Sequence, residues 1–218
     1  STRFSQRADF SGTRFLSDTN YNSAFFGAIS YFLGTDFEQA ALLSNSVFLG
    51  DALFMNARFA DELDLSFARF SSHLGPDFTG ARLEKTLNLE NTVSAGALRL
   101  TWEQVNRKLG PETPQILSLL EKSFVELGQG EDAVAACEAS AKWLPKSNRD
   151  IMLLRCTMLA AQFGLPLRSP DHLGGSYLEK QPDKKAEKNK IIGNLLPAIL
   201  VLTGIVILAL LLAKGGRL

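Results

Sequence analysis

Histidine and cysteine are nearly missing from this chain, with two of each in 218 residues. That scarcity removes most metal chemistry, because protein metal sites draw on clustered Cys and His ligands. His73 and His172 stand far apart, and Cys137 and Cys156 lack ligand spacing. No glycine-rich phosphate loop and no nucleophile elbow is present. Net charge is missing too: 23 Lys and Arg offset 23 Asp and Glu, so the total gives no electrostatic grip on nucleic acid. Carboxylates cluster at Asp36 with Glu38 and at Asp61, Glu62 and Asp64, as solvated faces commonly do. Together these absences argue against an enzyme. No catalytic residue, cofactor, metal or small-molecule substrate is expected. No apolar run long enough to span a bilayer occurs before residue 191.

What is present is a ladder. Large apolar residues stand at Phe4, Phe10, Phe15, Tyr21, Phe26, Phe32, Phe37, Leu43, Phe48, Phe54, Phe59, Leu65 and Phe70, in alternating steps of six and five. Two residues before most rungs sits a small one, such as Ala8, Thr13, Thr19, Ala24 and Ser30; Leu63 breaks that row. The repeat is therefore eleven residues, and a short fixed period is the mark of a solenoid. In a narrow β-solenoid each short face sends one large side chain to the axis and leaves room for a small one beside it. With coils stacked about 4.8 Å apart, Phe15, Phe37 and Phe59 fall in one column and Phe26, Phe48 and Phe70 in another. Gly12, Gly34, Asn45, Gly50 and Asn56 fall two residues after rungs, at corners that favour tight or left-handed backbone.

The unit Ala8-Asp9-Phe10-Ser11-Gly12, with Thr35-Asp36-Phe37 and Pro76-Asp77-Phe78-Thr79-Gly80, resembles the pentapeptide-repeat proteins. The likeness covers roughly residues 3–90 and implies a right-handed quadrilateral β-helix. After Phe70 the rhythm resumes two residues late, at Phe78, Leu83 and Leu89. Ser71–Pro76 holds the extra residues and is expected to bulge, with His73 on it.

The solenoid is assigned to residues 1–92 and a helical cap to 98–164. Thr101 reads as an N-cap of a short helix ending at Gly110, and Thr113-Pro114 opens a second helix closed by Gly128. A third runs from near Glu131 to Leu144. Ser147-Asn148-Arg149-Asp150 reads as a capping box before Ile151–Phe163. Residues 116–145 resemble one tetratricopeptide-type hairpin, with Phe124, Gly128, Ala133 and Pro145 at packing positions and Glu121 where that family prefers glycine. Cys137 and Cys156 read as two buried thiols in preference to a disulfide.

Residues 165–190 read as a linker, and Lys180, Lys184, Lys185, Lys188 and Lys190 alternate with acids before Ile191. Residues 191–213 hold 23 uncharged positions, enough for a transmembrane helix of about 34 Å. Five lysines before the span and Lys214 and Arg217 after it favour a single-pass protein with its large N-terminal part in the cytoplasm or stroma. A cleaved export signal ahead of Ser1 would reverse this, to a lumenal or periplasmic domain. The expected role is a membrane-anchored scaffold or accessory subunit of a photosynthetic or respiratory complex, a thylakoid complex among them. It would contact integral membrane subunits and lipid, not nucleic acid. Phe25, Tyr31, Val47, Phe67 and His73 are the candidate partner-binding residues. The alternatives are a pentapeptide-type DNA mimic acting on a topoisomerase and a membrane-tethered regulator of transport.

Overall fold

The computed structural model describes residues 2–166. The linker beyond Pro166, His172 and the segment 191–213 lie outside the described residues. Among the described residues, no helix is long and apolar enough to cross a membrane.

Residues 3–94 form a parallel β-solenoid of four faces and about four coils, built from two-residue strands. Face one stacks Arg3–Phe4, Phe25–Phe26, Val47–Phe48, Arg69–Phe70 and Val93–Ser94. Face two stacks Ala8–Asp9, Ser30–Tyr31 and Ala52–Leu53, and bridges at Asp77 and Arg99 prolong it. Face three stacks Arg14–Phe15, Asp36–Phe37, Arg58–Phe59 and Arg82–Leu83. Face four stacks Thr19–Asn20, Ala41–Leu42, Leu63–Asp64 and Leu87–Asn88, with a further bridge at Leu109. Pairing thus runs past residue 92 into the chain leading to the helices.

The eleven-residue period has a physical origin in these faces. Two faces make one repeat, and like rungs meet one coil later. Phe26 stacks on Phe48 with ring centroids 4.5 Å apart, Phe32 on Phe54 at 4.8 Å and Phe37 on Phe59 at 4.9 Å. These distances follow the strand spacing, so backbone hydrogen bonds and ring stacking select the same geometry. Burying each such side chain contributes about 1.5–3 kcal/mol. The rungs of the first coil, Phe4, Phe10, Phe15 and Tyr21, are only half-buried, because nothing among the described residues stacks beneath them. Burial pushes the Tyr21 hydroxyl above its usual pKa.

The corners alternate in kind. After the face-two and face-four rungs the chain makes a tight turn with a left-handed residue: Gly12, Ser23, Gly34, Asn45, Asn56, Phe67, Gly80 and Asn91. Gly50 departs from the corner expectation. Its φ is ordinary, and it is small because a Cβ would strike the backbone of Ala28 and Ile29. The two-residue slip is present, since Phe78 stacks on Phe54 at 4.8 Å and Arg82 pairs with Arg58. The extra residues fold tightly. Gly75 and Pro76 are buried, and His73 and Leu74 are exposed. A Cβ at Gly75 would run into the Ala97 carbonyl, and one at Gly96 into that of His73.

Four helices follow: α1 (Trp102–Val105), α2 (Pro114–Glu126), α3 (Gly130–Ala141) and α4 (Lys146–Gln162). Thr101 caps α1 in a reciprocal box with Gln104, and Thr113 caps α2 with Pro114 in its first turn. α1 is a single turn rather than a helix reaching Gly110, because Leu109 is drawn into the face-four ladder. The capping box at Ser147 does not form. α4 starts two residues earlier than that box would place it, with Pro145 at its N-cap and no side-chain cap.

α2 and α3 pack as a hairpin over the C-terminal end of the solenoid. Ile116, Leu120, Phe124, Ala133 and Ala136 join the rungs in one continuous core. The last coil's open edge is satisfied by side chains. The Gln104 amide donates to the carbonyls of Phe78 and Ala81, at 3.0 and 2.8 Å. Gln129 donates to the Leu100 carbonyl, and the Leu98 N–H donates to Ser123 Oγ.

The cysteines are a correction. Cys137 on α3 and Cys156 on α4 form a disulfide, with Cα atoms 5.7 Å apart. Their nineteen-residue separation spans one helical hairpin, which brings the two inner faces together. Glu121 also finds its reason. It is buried on α2, and its carboxylate takes a two-armed contact from Arg155 of α4, one arm at 2.9 Å.

Candidate functional site

The four solenoid faces expose different chemistry, set by the residue just before each rung or just after each small residue. On face three these residues are Arg14, Asp36, Arg58 and Arg82. Arg14, Asp36 and Arg58 join a ladder of ion pairs with neighbouring glutamates. Arg14 pairs with Asp36 and Glu38, and Arg58 reaches Asp36 at 2.9 Å and Glu84 at 2.8 Å. Glu84, and then Asp36, raise the Arg58 guanidinium pKa further. Lys85 donates to Asp61 at 2.7 Å and holds that carboxyl below its usual range. These charges are occupied with one another.

Face one differs. Its outward column reads Arg3, Phe25, Val47, Arg69 and Val93. It has two cations and no acid. The Arg3 guanidinium lies over the Phe25 ring at 4.2 Å, a cation–π contact. Leu49 follows the rung Phe48, and Phe67 forms the corner that leads into Arg69. Leu49, Phe67 and Val93 are each about half exposed, at 48%, 49% and 55%.

Phe67 is the anomaly of the row. The other left-handed corners are Gly, Asn or Ser, which tolerate that backbone. Phe67 adopts φ 58° as a bulky residue, at a cost of about 1–3 kcal/mol. Its ring is about half exposed, so packing within the described residues covers only part of it.

Phe25 and Val47 are direct register partners on face one, and Phe67 lies at its edge. Phe67 does not continue their column, which passes through Arg69 instead. Tyr31 lies on face two between Asp9 and Leu53, with Arg7 5.7 Å from its ring. His73 lies on the bulge between faces one and two. Arg3, Leu49, Arg69 and Val93 complete the surface. Their common face follows from a 22-residue coil, and Val93 joins only when the slip after Phe70 is carried through.

At the junction of solenoid and cap lies an open cleft of about 540 Å³, lined by Thr79, Gly80, Ala81, Arg99, Leu100, Thr101, Gln104, Leu127 and Gln129. Its lining carries no histidine, cysteine or carboxylate, and Gln104 is committed to the edge of the solenoid. Among the described residues, no group of three or more His, Cys, Asp or Glu is placed to hold a metal.

Fold and surface together define a four-sided parallel β-solenoid with a helical cap and one apolar, cationic face. No family model matches the chain, and neither a curated protein nor a solved structure matches it.

Proposed function

We propose that this is a pentapeptide-repeat protein of the right-handed quadrilateral kind that works by contact, as a membrane-anchored accessory subunit of a larger membrane complex. Face one is its docking surface. The observation that carries the reading is Phe67, a bulky exposed residue held at a corner where every counterpart is small or Asn. A strained corner kept for a half-exposed ring points to use by a partner. Phe25, Val47, Leu49 and Val93 extend the apolar area, and Arg3 and Arg69 ask for a partner surface bearing carboxylates. The solenoid is ordered before it binds, so docking costs little conformational entropy. A span at 191–213 would raise its effective concentration beside other integral subunits.

The disulfide bears on compartment. Cys137–Cys156 supports the exported arrangement, with the domain lumenal or periplasmic, because disulfides persist on the oxidising side of a membrane. The lysines before the span argue the other way, and their weight is reduced by the acids interleaved with them. DNA mimicry fits less well. It needs free carboxylates in a duplex-like array, whereas those of face three are paired with arginines.

The test is recovery of the full chain from its native membranes in mild detergent. Co-purification of integral subunits, lost on Phe25→Asp with Val47→Asp, supports the reading. Unchanged recovery in that double variant overturns face one as the docking surface. Capture of a topoisomerase in place of integral subunits favours the mimic.

A further inference from the structure

We propose that the outer side of α4 rests on the lipid bilayer, in the zone of headgroups and upper acyl chains. α4 carries two apolar patches on a helix that is otherwise polar. Its inner side, around Cys156 and Ala160, packs on α3 and contains the only buried residues of the helix. Its outer side carries Ile151, Leu154 and Met158, spaced three and four apart, and these are 69%, 55% and 66% exposed. Among the described residues nothing covers that outer patch. Two features identify the cover as lipid. The N-terminal end of the stripe is basic: Lys142, Lys146 and Arg149 stand there against Asp150 alone. A convex apolar stripe with a cationic end is the arrangement of helices that lie in the plane of an anionic membrane surface. The second feature is chain length. Twenty-eight residues separate Gln162 from Ile191, so the end of α4 stays within about 100 Å of a span that begins there. The inference therefore rests on the reading of 191–213 as a membrane anchor. The Cys137–Cys156 bond and the Glu121–Arg155 pair hold α4 to the cap by its inner side and leave the stripe free to face lipid.

The experiment uses the full chain in vesicles of phosphatidylcholine and phosphatidylglycerol with brominated acyl chains. A single tryptophan is placed on the stripe by Met158→Trp in a Trp102→Phe, Trp143→Phe background. Leu154→Trp in the same background is the second reporter. Retention after alkaline carbonate reads the anchor independently. An anchored chain whose reporter is quenched roughly twofold or more, with Ile151→Asp abolishing the quenching, supports the proposal. An anchored chain with both reporters unquenched overturns it and leaves the anchor reading intact. Unquenched reporters together with crosslinks between two α4 helices would assign the stripe to a second copy. A chain washed off by carbonate overturns the anchor and this inference with it.

Discussion

The solenoid and the helical cap are held together in opposite ways. Every solenoid coil repeats its neighbour's contacts, so rings stack in columns and stability accumulates along the axis. The cap has no repeat. α2 and α3 bury a conventional apolar face, but α4 buries only Cys156 and Ala160 over seventeen residues. It is held by one disulfide, one ion pair and the packing of Leu159 against the core. Damage should therefore spread along the coils in the solenoid and stay local in the cap.

The harshest way to break that contrast is Phe37→Asp. The side chain is fully buried between Phe15 and Phe59, and an unpaired carboxylate there costs several kcal/mol. The expected outcome is loss of the folded solenoid by circular dichroism and of soluble expression. A chain that folds normally would sink the register.

In the cap, Cys137→Ser with Cys156→Ser should cost about 3 kcal/mol, from the loop length alone. The effect should be confined to α4, seen as faster proteolysis near residues 146–162 with the solenoid transition unchanged. Simultaneous loss of both would mean that the two regions form one cooperative unit. Arg155→Ala should cost about 2–3 kcal/mol because it strands the buried Glu121 carboxylate. Glu121→Gln should cost less, since Arg155 is half exposed and can return to water. Denaturant midpoints of the two variants check that order.

The same contrast explains what was legible in the sequence. A periodic ladder reports its own register, so the columns of Phe15, Phe37 and Phe59 and of Phe26, Phe48 and Phe70 follow from spacing, as does the two-residue slip. The ends of the solenoid are aperiodic and were less legible. Leu109 joins a ladder from within a stretch of helical character, and Gly50 and Gly96 are small because another segment's backbone touches them. Cys137–Cys156 and Glu121–Arg155 are single long-range pairings, which carry no local signal. Of the candidate surface, Phe25 and Val47 were legible as neighbours because they lie one coil apart. Arg3, Arg69 and Val93 required the closed four-sided geometry.

A milder change on the solenoid is Arg58→Asp. On register alone it is an outward position and should be nearly silent. The structure sharpens this, because Arg58 bridges Asp36 and Glu84. Charge reversal there should lower the melting temperature at low salt, and by less as added salt screens the exposed pair. A thermal-unfolding series in salt measures it. No effect at any ionic strength would mean that the face-three ladder contributes nothing.

The central claim is that face one trades stability for contact, and Phe67→Gly tests it most directly. Glycine relieves the left-handed corner, so the full chain should melt several degrees higher, equivalent to about 1 kcal/mol. Recovery of integral subunits from native membranes should fall in the same variant, measured in the same detergent. Higher stability with weaker assembly is the predicted result. Higher stability with undiminished assembly, or a variant less stable than the parent, would contradict it.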